Sequence, residues 1–547
     1  MLSFITVMHL SIGVTRSLKE SIAGGAAIIF TGNIINMLSS ILTVKLLVRG
    51  LGSSGYGLYS RIISPILFVQ PLILLFGERY YAFKYIPSYI ARGRLKEASN
   101  LTMFLLLLRI FYGSLLTLTV YLSREMLAEY IGYPDLAGLV GIASLIIFLN
   151  GMYELGYSLS LSGGWEKYTV VGSIATNIFK VSMLFLFLFL SNLEIYQALI
   201  SLIVGYIAGD SIMFILTMFK LKPKLVKPML YMDYFREMVS YGLPVVFQVL
   251  SVGLCLEFPP MLFAHAGSNL ENAVLRVSNR YFKMVRLVGS SLTLSMIPKI
   301  SSRESEEDRI NVVSSSIPYF AYVGSLLSAL VMGFPRILLS IMSVAYIDYW
   351  AVLAVIGLSN VFLSFIPLRV LLVVNSGKKM AIIGLIQLLY TLLFSYITHW
   401  NLLLLSFVYP SFYGLYLLLV AEPFKEHVKV KYIFKYTAIG ILSSIISMLV
   451  GQIMDNIVMK VQLYLPFYSL IAVVLPLLMA VVFIIHANIY VCLGGLTPEK
   501  IVGMYSAVDI PSKLKAKIIK LLKLVILGKT TSNSGKPQLE GDRRVRP

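Results

Sequence analysis

YQALISLIVGYIAGDSIMFILTMF, residues 196–219, holds one charged residue, Asp210, in 24 positions. At about 1.5 Å of rise per residue, a helix of that length spans the ~30 Å hydrocarbon core of a bilayer. The run before it, TVVGSIATNIFKVSMLFLFLFLS at 169–191, again carries a single charge, Lys180. Residues 192–195 are all that join the two, so the pair reads as a helical hairpin across a membrane.

The rest of the chain repeats this pattern. Of 547 residues, 58% are hydrophobic and 13% charged, with a mean hydropathy of +0.84. Soluble domains carry about 25% charged residues, and a chain this poor in polar surface cannot cover a water-soluble globule. Runs of about 20 apolar residues recur at 22–47, 61–81, 101–122, 135–158, 169–191, 196–219, 237–264, 271–297, 313–334, 350–374, 381–397, 401–421, 437–456 and 465–490. The expected fold is all-α, a polytopic membrane protein with about 14 transmembrane helices. The stretch Leu2–Val14 is apolar but short, and Arg16 and Lys19 follow it. A secretory signal has the opposite order, so this is a lead-in and the first span an uncleaved anchor.

A net charge of +20 would suggest nucleic acid in a soluble protein. Its placement says otherwise. With a cytoplasmic N-terminus and an even number of spans, the inner segments hold about 33 Lys and Arg and the outer loops about 4. The charge is topology: a multi-pass plasma-membrane protein with both termini in the cytoplasm and no nucleic-acid partner. The tail SKLKAKIIKLLKLVIL (512–527) reads as a basic amphipathic helix on anionic lipid. Cys255 and Cys492 are far apart, no two histidines stand at ligand spacing, and Walker and GxSxG motifs are missing. Neither an enzyme nor a resident cofactor is expected.

Two segments match each other. GSSGYGLYSRIIS from Gly52 and GSNLENAVLRVSN from Gly267 each place a Gly-Ser pair nine residues before an arginine, Arg61 and Arg276. Farther on stand IPSYIA from Ile86 and IPKISS from Ile297. The offset is six spans, which keeps orientation and implies two parallel six-helix lobes around a cavity. The organisation is then a cytoplasmic segment 1–21, an N-lobe 22–219, a C-lobe 237–421, two extra helices 437–490 and a cytoplasmic basic tail 491–547.

Span 271–297 breaks the apolar rule with Arg276, Arg280, Lys283 and Arg286. At 100° per residue the first three fall within about 60° of one another, and Arg286 about 80° from Arg276. Four such charges facing lipid would cost on the order of 10 kcal/mol, so they face water, counter-charges or an anionic ligand. Arg276 and Arg61, near the outer boundary, can also snorkel; Lys283 and Arg286 lie too deep for that. Arg369 is a further cavity candidate, and Lys45, Arg109 and Lys180 stand isolated. Glu257 precedes Pro259 and Pro260. A helix broken there frees carbonyls that join a carboxylate in binding Na⁺ or H⁺; the other reading is a salt bridge to a cavity arginine. The excess of cations favours an anionic cargo, phosphate above all, through forked hydrogen bonds.

GLGSSGYGLYSRIISPI, RYYAFKYIPSYIARGRLKEA, SLTLSMIPKISS and FPRILLSIMSVAYIDYWAVLAVIGLS resemble the Wzx-type polysaccharide flippases of the MOP superfamily. The tail LTPEKIVGMYSAVDIPSKLKAKI resembles the C-terminal extension of archaeal members. The resemblance implies fourteen helices in two lobes around a cationic cavity. It implies alternating access, moving polyprenyl- or dolichyl-(pyro)phosphate-linked oligosaccharide from the inner to the outer leaflet. The cavity role carries over to Arg61, Arg276, Arg280, Lys283 and Arg286. Expected partners are that lipid-linked anionic oligosaccharide, membrane lipids, and other polysaccharide or glycosylation enzymes. The rival readings are a multidrug exporter of the same superfamily, which calls for an acidic cavity, and a membrane glycosyltransferase or polymerase, which calls for catalytic carboxylates and a long polar loop.

Overall fold

Lipid offers backbone amides no water, so a span has to satisfy its own hydrogen bonds, and helices do this within one segment. A computed structural model describes residues 18–190, 192–222, 228–283, 285, 305–369, 377–424, 430–461, 467–498 and 500–501, among which helices and turns account for the structure without a strand. The main helices are α1 (Leu18–Val69), α2 (Glu78–Ala91), α3 (Leu95–Leu122), α4 (Ala137–Ser162), α5 (Glu166–Leu190), α6 (Ile195–Leu221) and α7 (Pro228–Ala266). They continue with α8 (269–283), α9 (Glu306–Gly333), α10 (Pro335–Met342), α11 (Trp350–Leu358), α12 (Gly377–Thr398), α13 (Val408–Ala421), α14 (Val430–Val461) and α15 (Phe467–Cys492).

Among the described residues, twelve stretches are long and apolar enough to cross a membrane. The first, Ile35–Leu74, contains a kink at Gly52 (φ 73°, ψ 169°), a backbone geometry that costs a residue with a Cβ dearly. It therefore covers the first two expected spans, and the eighth is described to 283 and at 285. The expected count of about fourteen and the all-helical polytopic fold hold. The boundary of the second span changes. The second span was expected to run to 81, but Pro71 sits in a 3-10 turn at Gln70–Leu74, and left-handed Gly77 (φ 70°) starts a new helix at Glu78.

The surface is the inverse of a soluble protein. Large apolar side chains point outward along the spans, among them Phe111, Phe189, Leu393 and Ile453, while Arg109, Glu78, Asp210 and Asp455 are buried. That is the pattern of a bundle whose outside is lipid and whose inside is polar. Helices approach through small residues: α5 and α6 close on each other at Gly209, where a Cβ would lie 1.8 Å from Thr176 Oγ1.

The two matched segments meet in space. The chain after the Gly52 kink packs on the start of α8 so tightly that a Cβ at Gly57 would sit 1.7 Å from the Asn269 carbonyl oxygen. A capping box begins α8: Ser268 Oγ accepts from the Glu271 N–H (3.2 Å), and Glu271 Oε2 accepts from the Ser268 N–H (2.8 Å). At the same end of the molecule Ser53 and Ser343 share a hydrogen bond of 2.7 Å, and Tyr346 Oη donates to the Ser53 carbonyl at 3.3 Å. Arg286, the IPKISS segment and the basic helix at 512–527 lie outside the described residues.

Candidate functional site

Helical periodicity carries Arg276, Arg280 and Lys283 on one face of α8, and that face borders a recess of about 200 Å³. Leu67, Gln70, Tyr206, Glu257 and Asn279 complete its wall. A second, smaller recess of about 30 Å³ shares Leu67, Arg276 and Arg280 with the first and extends toward the Gly52 kink. Tyr56, Tyr59, Thr43 and Lys180 line it. The two form one site with Arg276 and Arg280 at the junction.

Glu257, on α7, holds two of the three α8 cations. Its Oε2 accepts from an Arg276 guanidinium nitrogen at 2.8 Å and its Oε1 from Lys283 Nζ. Arg276 is 4% exposed and also donates to Ser64 Oγ at 2.5 Å, while its buried Nε has no partner. Lys283 keeps 37% of its side chain exposed. Arg280, between the two in sequence, is exposed to both recesses and makes no hydrogen bond or ion pair to a described residue. Of Glu257's two expected readings, the salt bridge is the one seen, and it takes both carboxylate oxygens.

The helix break expected at Pro259 and Pro260 does not occur. The helix runs through both prolines to Ala266. Pro260 cannot donate to the carbonyl four residues back, and Asn279 Nδ2 on α8 supplies that carbonyl, Leu256 O, at 3.2 Å.

Arg61 and Arg369 lie apart from this site. Arg61 is buried, and its guanidinium donates to the carbonyls of Ile131 (3.3 Å) and Gly267 and lies over the Tyr133 ring. Those contacts bind the segment after Gly52 to the start of α8. Arg369 is half-buried within electrostatic reach of Tyr80, Tyr413, Tyr416 and Arg79, and neither recess includes it.

Lys180 was not expected here. It belongs to an otherwise apolar run, and what brings it in is the packing of α5 against α1. Its Nζ donates to Asn177 Oδ1 (2.8 Å), Asn177 to Asn36 Oδ1 (2.7 Å), and Asn36 to Ser173 Oγ (2.8 Å). The polar spacing Ser173, Asn177, Lys180 on one helical face was the available signal. Across the joined recesses the described residues contribute four cations against one carboxylate.

A multi-pass helical bundle with a charged recess among its helices is the architecture of a membrane transporter. Residues 22–304, more than half the chain, match the family model described as polysaccharide biosynthesis protein, and the chain belongs to that family. No curated protein matches it. Solved structures share the fold. An inward-facing multidrug resistance MATE family transporter of the MOP superfamily aligns at 14% identity over 75% of this chain and 99% of its own, with a TM-score of 0.59. A MOP superfamily transporter from Pyrococcus furiosus, described by the reverse polarity of its binding pocket, aligns at 13% identity over 79% and 96%, with a TM-score of 0.56. A Vibrio cholerae MATE transporter aligns at 15% identity over 74% and 97%, with a TM-score of 0.53.

Proposed function

We propose that this protein moves an anionic, polyprenyl- or dolichyl-(pyro)phosphate-linked oligosaccharide from the inner to the outer leaflet of the cell membrane by alternating access, for surface polysaccharide or glycoprotein synthesis. The observation that carries the reading is Arg280, an exposed guanidinium at the junction of both recesses with no counter-charge among the described residues. A forked donor in a partly desolvated cavity suits a phosphate oxygen pair. Lys180 and Lys283 add to the attraction, and the family described as polysaccharide biosynthesis protein supplies a cargo of that chemistry. The oligosaccharide would occupy the water-filled space and the lipid tail would stay in the bilayer. A Na⁺ or H⁺ gradient, or consumption of the flipped product, drives the forward step.

The rival reading is an exporter of cationic drugs, which draws on structural neighbours described as multidrug resistance transporters. The charge of the recess opposes it, since a cationic cargo meets three unneutralised positive charges. Purified protein in vesicles, assayed side by side with a fluorescent lipid-linked oligosaccharide and a cationic dye, separates them. Protein-dependent flipping of the glycolipid without dye transport is the expected result; dye transport without glycolipid flipping overturns the reading. Sugar transfer by the purified protein would overturn it in favour of a glycosyltransferase.

A further inference from the structure

Glu257 is unusual among the acids of the bundle because it sits in the recess itself and both of its oxygens are engaged by cations that line the same recess. Arg276 and Lys283 are seven residues apart, two turns of α8, and one carboxylate bridges them. The carboxylate presents two oxygens to two donors that converge, the arrangement by which a phosphate is also held. Among the described residues the buried Nε of Arg276 has no partner, so its donor capacity exceeds what Glu257 and Ser64 accept. Arg280 stands on the same face between them and makes no hydrogen bond or ion pair to a described residue.

We propose that Glu257 is an internal stand-in for the cargo's phosphate: it occupies Arg276 and Lys283 in the empty carrier and is displaced when an anion, first met by Arg280, enters the recess. The proposal rests on the cavity being an anion site, as argued above. Its physical reason is twofold. Two cations left unpaired in a recess that changes access would each carry a desolvation cost, and Glu257 removes that cost while no cargo is bound. A carrier also has to let its cargo go, and binding that must first break the pairs with Glu257 is weaker by what those pairs contribute. Release is the reverse exchange. Glu257 then sets affinity in the opposite sense to the cations around it.

The test measures binding of farnesyl phosphate to the full-length protein in detergent, together with flipping of a lipid-linked oligosaccharide in vesicles. Glu257→Gln keeps the side chain's size and removes its charge. It is expected to bind farnesyl phosphate about 10-fold tighter than the wild-type protein, the equivalent of about 1.4 kcal/mol, and to flip the glycolipid more slowly. Glu257→Asp keeps the charge but is one methylene too short to bridge both cations; it is expected to tighten binding by a smaller factor and serves where the glutamine variant does not fold. If wild-type protein binds farnesyl phosphate and neither variant binds it more tightly, the stand-in role is wrong while the anion site survives. If the wild-type protein does not bind farnesyl phosphate, the anion-site reading fails and the stand-in role fails with it.

Discussion

Among the described residues two guanidinium–carboxylate pairs are buried, and they are built for different ends. In the first, Arg109 on α3 donates to Glu78 on α2 and to the Gly151 carbonyl at 2.9 Å, with the two side chains 1% and 0% exposed. One charge meets one charge, and neither side chain lines either of the two recesses. In the second, Glu257 meets Arg276 and Lys283 on the wall of an open chamber, with Arg280 and Lys180 beside them and no further carboxylate in the wall. Depth in the membrane is the same kind of fact for both; balance and access are what separate them. An intramembrane charge marks a functional site when its neighbours leave it in excess and water can reach it.

The comparison is broken or sharpened by removing one partner from each region. The largest effect belongs to the closed pair. Glu78→Gln strands a fully buried guanidinium, and breaking a buried pair costs about 3–5 kcal/mol, read as a fall in unfolding midpoint or in folded yield. The double substitution Glu78→Met with Arg109→Met removes both charges and is expected to recover stability to within about 1–2 kcal/mol of the wild-type protein, because apolar replacements of buried pairs are often neutral. Flipping per folded molecule stays unchanged in both. A loss of specific activity in the double variant would mean the closed pair also serves transport. A smaller effect belongs to Lys180→Gln, which removes one cation held by Asn177 from the chamber wall. A few-fold drop in flipping with stability shifted by no more than about 0.5 kcal/mol is expected, checked by flipping rate beside thermal unfolding.

Much of this was legible in the sequence. Hydropathy runs located the spans because lipid imposes length and apolarity directly on each segment. The α8 face was legible because 3.6-residue periodicity places 276, 280 and 283 together without reference to any other helix. What stayed hidden depends on packing between helices. The partner of Arg109 is Glu78, on another helix just after the left-handed Gly77, and Arg109 looked isolated in the sequence. Arg61 matched Arg276 in the repeat, yet one arginine is spent on loop carbonyls and the other on a carboxylate in the chamber, a difference fixed by what lies opposite each. Lys180 joins the site through the contact of α5 with α1, and the break expected at Pro259 and Pro260 is forestalled by an amide side chain from α8.

The central claim is that the excess charge of the chamber grips an anion, and Arg280 is the guanidinium of that excess with no ion pair to a described residue. The direct measurement is the flipping rate of a fluorescent lipid-linked oligosaccharide by Arg280→Gln protein in vesicles, normalised to inserted, folded protein. Losing a charge-assisted hydrogen bond of about 1.5–3 kcal/mol lowers the rate by about 10-fold to 150-fold with unfolding unchanged. A variant that flips the glycolipid at the wild-type rate would contradict the account.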